Sequence, residues 1–337
     1  MTDFSKFNKL YPNSIKVGVD VRPPSIVRTG MKRLDYGILR IGGLPLGRIV
    51  EVAGRPSAGK SSFAMNFVAS AQKQGYSCAW VDVEGDSYTT AWAKGIGADV
   101  DNLTMLNVSG LTGDKIIDMI QALIVLSDPP INVIVLDSIA NIRAEEQTAV
   151  TVSEQTMHTN MARAKLLTEF FQSLFGGFRV KGKDSTIYKL NEFPTCFIAI
   201  NHLKDTFAGN YAKADSIGGD AGKFAACIRL FFERLGKDKE DPNLSRVKIH
   251  CEKNKLAPPF GNGEFLFNLE QCTFEEDFKF LLDSAVAKGL VTTTGGGRYT
   301  IGEEKFHGVE AFKERCLKDD EFYTKMVESA FGAIHDS

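Results

Sequence analysis

The run Gly54–Ser61, GRPSAGKS, constrains this chain more than any other feature. It spells G-x-x-x-x-G-K-S, between the short apolar stretch GRIVEVAG and the helically spaced SSFAMNFVASAQKQG, which ends at Gly75. A strand, a glycine-bearing turn and a helix in that order gather backbone N–H groups at a helix N-terminus. Glycines let those amides close around phosphate oxygens, and the helix end adds positive potential. The pattern predicts a phosphate loop made of Gly54, Arg55, Pro56, Ser57, Ala58, Gly59, Lys60, Ser61 and Ser62. Lys60 is expected to reach the β- and γ-phosphates and Ser61 to ligate Mg²⁺.

Around this loop the chain alternates strands and helices. SCAWVDVE, INVIVLDS and PTCFIAIN read as buried strands; GDKIIDMIQALIVLS and EQTMHTNMARAKLLTEFFQSLFGG read as helices. Such alternation predicts an α/β fold with a mostly parallel central sheet covered on both faces. CIRLFFERLG and RVKIHCEKN alternate like antiparallel edge strands. Residues 1–27 are polar and end in VRPPS, the texture of an arm and linker. Residues 28–271 form the core with its loops. From 272 to 337 the texture changes to a small α+β domain, with FEEDFKFLLDSAVAKGLV as a helix and TTTGGGRYTIG as a hairpin.

Composition excludes several classes. With 43% apolar residues in a chain of 337, a sizeable core is expected. The net charge of −2 leaves any polyanion-binding surface to local patches. The six cysteines are scattered without a C-x-x-C pair and the five histidines are dispersed, so reduced thiols are expected rather than disulfides or zinc. The first residues lack the apolar run of a signal peptide, and no segment has the length of a membrane span. The expected location is the cytoplasm.

Two acids complete the predicted site. Asp137 ends the buried strand VIVLD, where a carboxylate faces the ligand crevice. Taken alone it fits a helix N-cap equally well; beside the loop it is expected to hold magnesium. Glu84, in WVDVEGD with Asp82 and Asp86, is the expected catalytic carboxylate that orients water.

The segments TGMKRLDYGILRIGGLPLGRIVEVAGRPSAGKSS, GYSCAWVDVEG with the helical AWAKGIGAD behind it, NVIVLDSIA, CFIAIN, SIGGDAGKFAACIRL and RVKIHCEKNKLAPPF resemble the RecA ATPase core, in unbroken order over roughly residues 25–331. INHLK and NMARAKLLTEFFQSLF are similar to the UvsX-type recombinases of tailed phages, whereas the C-terminal appendix resembles bacterial RecA. The resemblance implies a RecA-type P-loop ATPase core with a short N-terminal polymerisation arm and a small C-terminal α+β domain. It implies a DNA-dependent ATPase that uses ATP and Mg²⁺, forms filaments on single-stranded DNA, and catalyses homologous pairing and strand exchange with a duplex. The implied partners are single- and double-stranded DNA, further copies of the chain, and SSB and mediator proteins, in a bacterial cell or a phage-infected host. Two other classes compete. One is a RecA-core motor such as a replicative helicase, which would need a helicase-type N-terminal domain and an arginine finger. The other is a regulatory paralog of low hydrolysis, against which stands the full set of Lys60, Glu84, Asp137, Lys253 and Lys255.

Residue by residue, the resemblance assigns Glu84 to water activation, Asp137 to the metal and Trp92 to stacking on adenine. Lys253 and Lys255, flanking Asn254, would reach ATP across a subunit interface. His202 stands where the bacterial family has glutamine; it would bond the γ-phosphate and open the following loop. That loop, LKDTFAGNYAKADSIGG, reads as a disordered binding segment. Its Lys204, Phe207, Tyr211 and Lys213 suit phosphates and bases, and Gly218, Gly219 and Lys223 follow where it rejoins a helix. A first DNA loop would be AEEQTAVTVSEQTMHTN, flanked by Arg143 and Arg163. The basic GGFRVKGKDSTIYKLNEFP, with Arg179, Lys181 and Lys183, reads as a solvated hairpin longer than the family turn.

Overall fold

A computed structural model describes residues 5–10, 24–149, 156–183, 185–208, 211–216, 220–239 and 241–331. In chain order the elements begin with α1 (Ser5–Leu10), β1 (Ile26–Val27), a π-helix (Arg33–Ile38), β2 (Leu44–Pro45) and β3 (Ile49–Gly54). Next come α2 (Lys60–Lys73), β4 (Cys78–Asp82), α3 (Thr90–Ile96), β5 (Leu103–Leu106), α4 (Gly113–Leu126) and β6 (Val133–Asp137). Then follow α5 (Glu145–Thr148), α6 (Met157–Gly176), β7 (Cys196–Ala208), β8 (Tyr211–Ser216), α7 (Asp220–Ala225), β9 (Ile228–Lys237) and β10 (Leu244–Asn254). Last are β11 (Asn262–Asn268), β12 (Thr273–Glu275), α8 (Phe278–Ala287), β13 (Thr292–Gly295), β14 (Arg298–Ile301), β15 (Glu304–His307), α9 (Gly308–Lys318) and α10 (Asp320–Phe331).

The main sheet runs β12-β11-β10-β9-β3-β7-β6-β4-β5. The six strands from β9 to β5 are parallel, and β10, β11 and β12 continue the sheet antiparallel. The parallel strands are runs of Val, Ile, Ala and Phe because both faces are covered, which removes the alternation of a half-exposed strand. β10 does alternate, whereas β9 is buried at its start and exposed from Glu233 onward, and both lie inside the sheet. The expectation of edge strands fails because β11 and β12 pair beyond them, so β12 and β5 form the edges. The sheet's last strand, Thr273–Glu275, lies beyond the expected boundary at 271, and Ile26–Val27 of the expected arm pairs with Leu44–Pro45.

Two cores lie on the two faces of the sheet. One packs α2 (Phe63, Ala64, Phe67, Val68) and Trp80 against Val50, Val52 and Ile198. The other packs α4 and α6 (Ile116, Ile120, Phe170, Leu174) against Ile49, Ile134 and Phe197. Phe63, Phe67 and Trp80 have no exposed surface, and truncating such a side chain to Ala costs about 3–5 kcal/mol. The long turn 177–195 is a hairpin held by reciprocal backbone bonds between Phe178 and Tyr188, both 2.9 Å, with Phe178, Val180 and Leu190 sunk into the second core.

A third core belongs to the C-terminal α+β unit, where α8 and α10 pack Leu281, Leu282 and Val327 around Phe312. The Arg33 guanidinium joins this unit to the main domain. It lies 3.8 Å over the Phe280 ring and 5.4 Å from each of Phe265 and Phe331, and donates 2.6 Å to the Glu264 carbonyl. Burial lowers its pKa, and the nearby Glu276 opposes that shift.

Candidate functional site

The phosphate loop lies where β3 gives way to α2, at the carboxyl end of the parallel strands. Gly59 caps α2 in the left-handed region, φ +88°, and a Cβ there would sit 3.2 Å from the Phe274 ring. A Cβ on Gly54 would meet the Phe232 carbonyl oxygen at 2.5 Å. Both glycines are therefore demanded by crowding. Lys60 is buried and its Nζ donates to the Arg55 carbonyl at 2.9 Å. Burial lowers its pKa, while Asp137 and Glu84 oppose that shift. Pro56 through Ser62 line a cavity of about 280 Å³ together with Glu84, Asp137, Ile200 and His202. The residues predicted for phosphate, metal and water thus converge on one pocket from four different elements. A larger cavity of about 610 Å³ touches the same loop from the β9–β10 side and contains none of these acids.

Asp137 pairs in register with Asp82 on β4 and is 1% exposed. Burial is the main cause that pushes its carboxyl up to about 6; the Ser61 hydroxyl bonds it and opposes the shift. Its Oδ2 is buried without a hydrogen-bond partner. A buried carboxylate oxygen with an open valence, a hydroxyl against the same carboxylate and an adjoining phosphate loop together fit Mg²⁺, which is held by few protein oxygens plus phosphates and water. Asp82 shapes the acidic turn, accepting from the Gly85 amide at 2.9 Å and the Ser87 hydroxyl at 2.8 Å.

Glu84 Oε1 accepts from the Ser138 hydroxyl at 2.9 Å and lies 3.2 Å from His202 Nε2. The carboxylate is therefore held by one residue beside Asp137 and another where β7 leaves the main sheet. Sequence reasoning selects Glu84 and His202 separately and places Ser138 only beside Asp137, without the bond to Glu84.

The segment read as a disordered loop is not a loop over its described residues. β7 runs on past His202, leaves the main sheet and pairs antiparallel with β8, from Leu203 opposite Ser216 to Ala208 opposite Tyr211. Lys204 pairs with Asp215, Thr206 with Lys213 and Phe207 with Ala212. The overlooked signal is a two-residue Gly-Asn link between runs that alternate small or polar with Thr, Phe and Tyr, a hairpin pattern. Gly218 and Gly219 lie outside the described residues, as does part of the first DNA loop.

Arg163 on α6 is turned inward. Its guanidinium bonds the Ile139 and Ala140 carbonyls just after the metal acid, and burial together with Arg143 lowers its pKa. Trp92 lies edge-on to Trp80 at 6.1 Å and to Tyr88 at 6.5 Å, partly exposed and outside the phosphate cavity. Lys253 and Lys255 are also outside it. Lys253 Nζ donates to the carbonyls of Lys223 (2.6 Å) and Phe224 (3.1 Å), and Lys255 Nζ to Phe224 (3.3 Å). Both cations thus sit on the C-terminal end of α7, beside the exposed ring of Phe224.

Among the described residues no helix is long and apolar enough to cross a membrane, and no cluster of three or more His, Cys, Asp or Glu side chains could hold a metal. A family model described as the RecA N-terminal domain matches residues 14–271, well over half of the chain, so this phosphate loop, its two acids and the sheet that presents them place the protein in the RecA family.

Proposed function

We propose that the protein is a DNA-dependent ATPase and recombinase, which assembles head to tail as an ATP-bound filament on single-stranded DNA and catalyses homologous pairing and strand exchange. One observation carries this reading above a generic ATPase. His202, at the root of the β7–β8 ribbon, is hydrogen-bonded to Glu84 inside the phosphate pocket. Whatever moves the ribbon acts on the carboxylate that orients water.

In this reading Lys60 neutralises charge developing on the γ-phosphate. Glu84 orients a water and takes its proton as the water oxygen bonds phosphorus and the β–γ bridging oxygen leaves with ADP. Ser61 and Asp137 would hold Mg²⁺, which shields phosphate charge when bound. Glu84 is tied to Ser138 and His202 in the free chain, so hydrolysis waits for His202 to turn toward the γ-phosphate. The ribbon, with Lys204, Phe207, Tyr211 and Lys213, would follow that turn and grip single-stranded DNA. Lys253 and Lys255 would leave the end of α7 and reach the ATP of a neighbouring protomer. His202 and the α6 sequence bring the core nearer the UvsX type.

The test is ATP turnover with and without single-stranded DNA, followed by electron microscopy of the same mixtures. Strong stimulation together with helical filaments is expected. Equal turnover in both conditions defeats the recombinase reading, and closed rings would indicate a motor.

A further inference from the structure

The middle of the main sheet carries a row of polar side chains that the hydrolytic chemistry does not use. Glu51 on β3, Arg229 on β9 and Asn201 on β7 are 3%, 8% and 2% exposed. Arg229 Nε donates to Glu51 Oε2. Asn201 Nδ2 donates to Glu51 Oε1 at 2.9 Å, and Asn201 Oδ1 accepts the His202 amide at 2.8 Å. The His202 ring then meets Glu84. Four residues on three adjacent strands form an unbroken chain from Arg229 to the hydrolytic carboxylate.

The other end of the chain reaches the interface lysines. The β9–β10 register sets Lys253 opposite Arg229, with a bulge between Cys251 and Lys253. A bulge re-aims the side chain that follows it. The two cations feel each other: burial, Lys255 and Arg229 all lower the Lys253 pKa, and Glu51 opposes them. Lys253 rests on α7, the helix that follows the ribbon. The root of the ribbon is thus tied to the pocket through His202, and α7, which comes next among the described elements, is tied to Lys253.

Stability does not account for such a row. Desolvating an ion pair in a sheet interior costs as much as the pair returns, and well-packed apolar side chains do at least as well. We propose that Glu51, Arg229 and Asn201 are positioning residues that act on Glu84 through His202, so that occupation of Lys253 by a neighbour's phosphate and occupation of the ribbon by DNA are read by one carboxylate. The proposal rests on the recombinase reading. The two-state element is the His202 ring, on Glu84 in one state and on the γ-phosphate in the other. The row fixes the strand end from which that ring turns.

Two variants of the full chain test it. Glu51→Met/Arg229→Met removes the ion pair without leaving a buried charge. Asn201→Leu cuts the row while keeping the pair, and carries the test should the first variant not fold. Each is assayed for thermal midpoint, for the KM of ATP, and for the ratio of turnover with single-stranded DNA to turnover without it. The expected result is a fall in that ratio of about 5- to 150-fold, the span of ordinary coupling energies, with KM within about twofold. A purely structural row would lower the midpoint and scale both turnover numbers together, leaving the ratio intact. A folded variant with the wild-type ratio overturns the proposal and leaves the recombinase reading standing. A wild-type protein that DNA does not stimulate sinks that reading, and the row with it.

Discussion

Lys60 and the pair Lys253–Lys255 are both bonded to backbone carbonyls, yet their surroundings differ. Lys60 lies buried in its own loop with Asp137 and Glu84 beside it, and those two carboxylates supply its favourable field. Lys253 and Lys255 sit at the end of a short helix, and burial, Lys255 and Arg229 lower the Lys253 pKa against the opposing charge of Glu51. The first cation lies among carboxylates of its own chain. Among the described residues the ammonium groups of the second pair bond backbone carbonyls of α7, and Glu51 opposes the like charges that act on Lys253. Cations whose like-charge neighbours outweigh the opposing carboxylate offer an incoming phosphate a favourable field.

The comparison predicts a ranked set of effects. Lys60→Ala should lower DNA-stimulated turnover on the order of 10³-fold, the upper range for loss of one preorganised charge donor; unchanged steady-state hydrolysis would break the phosphate-site assignment. Lys253→Ala/Lys255→Ala should cost about 10²-fold in kcat while nucleotide affinity measured by titration stays within about twofold. A matching loss of affinity would make the pair part of the protomer's own pocket and erase the contrast. Mixing the two inactive variants in equal amounts should restore roughly a quarter of wild-type turnover, since random head-to-tail assembly leaves that share of interfaces with an intact loop and an intact pair. A mixture as inactive as its components argues for a site built within one protomer. Gly59→Ala must bear a left-handed φ and press on Phe274, so nucleotide binding should weaken about tenfold, from about 1–2 kcal/mol of strain. The smallest effect on turnover is expected for Arg33→Met, in a third cation that is permanently partnered. It should lose about 1–2 kcal/mol of stability in a denaturant titration, from its ring contacts, and keep the DNA-stimulation ratio. A changed ratio would extend the coupling to the C-terminal unit.

Local geometry is legible in the sequence. The strand–loop–helix at 54–61 and the strand-terminal place of Asp137 are readable because the glycine spacing and the apolar runs fix where strands end, and parallel strands announce themselves as apolar runs. What escaped was long-range. Glu51 reads as a single acid in GRIVEVAG; its partners Asn201 and Arg229 lie 150 and 178 residues further on, and only the strand order β9-β3-β7 makes them neighbours. The β10 alternation looked like an edge because alternation reports what covers a strand's faces, not whether another strand pairs beyond it. The ribbon was misread because lysines and small residues suit mobile loops and exposed hairpins alike, and the Gly-Asn link was the deciding signal. Trp92 was placed from a resemblance that says nothing of Trp80, whose ring it meets.

β7 has a further consequence. From Phe197 to His202 it is clamped by β3, and beyond that point its described partner is β8 alone. Mechanically its described part is a cantilever, with its root where His202 touches Glu84. If nucleic acid sits on the ribbon, tension on the strand becomes torque at that root. Hydrolysis in a stretched filament would then report the pull on its DNA, and the enzyme would double as a strain gauge.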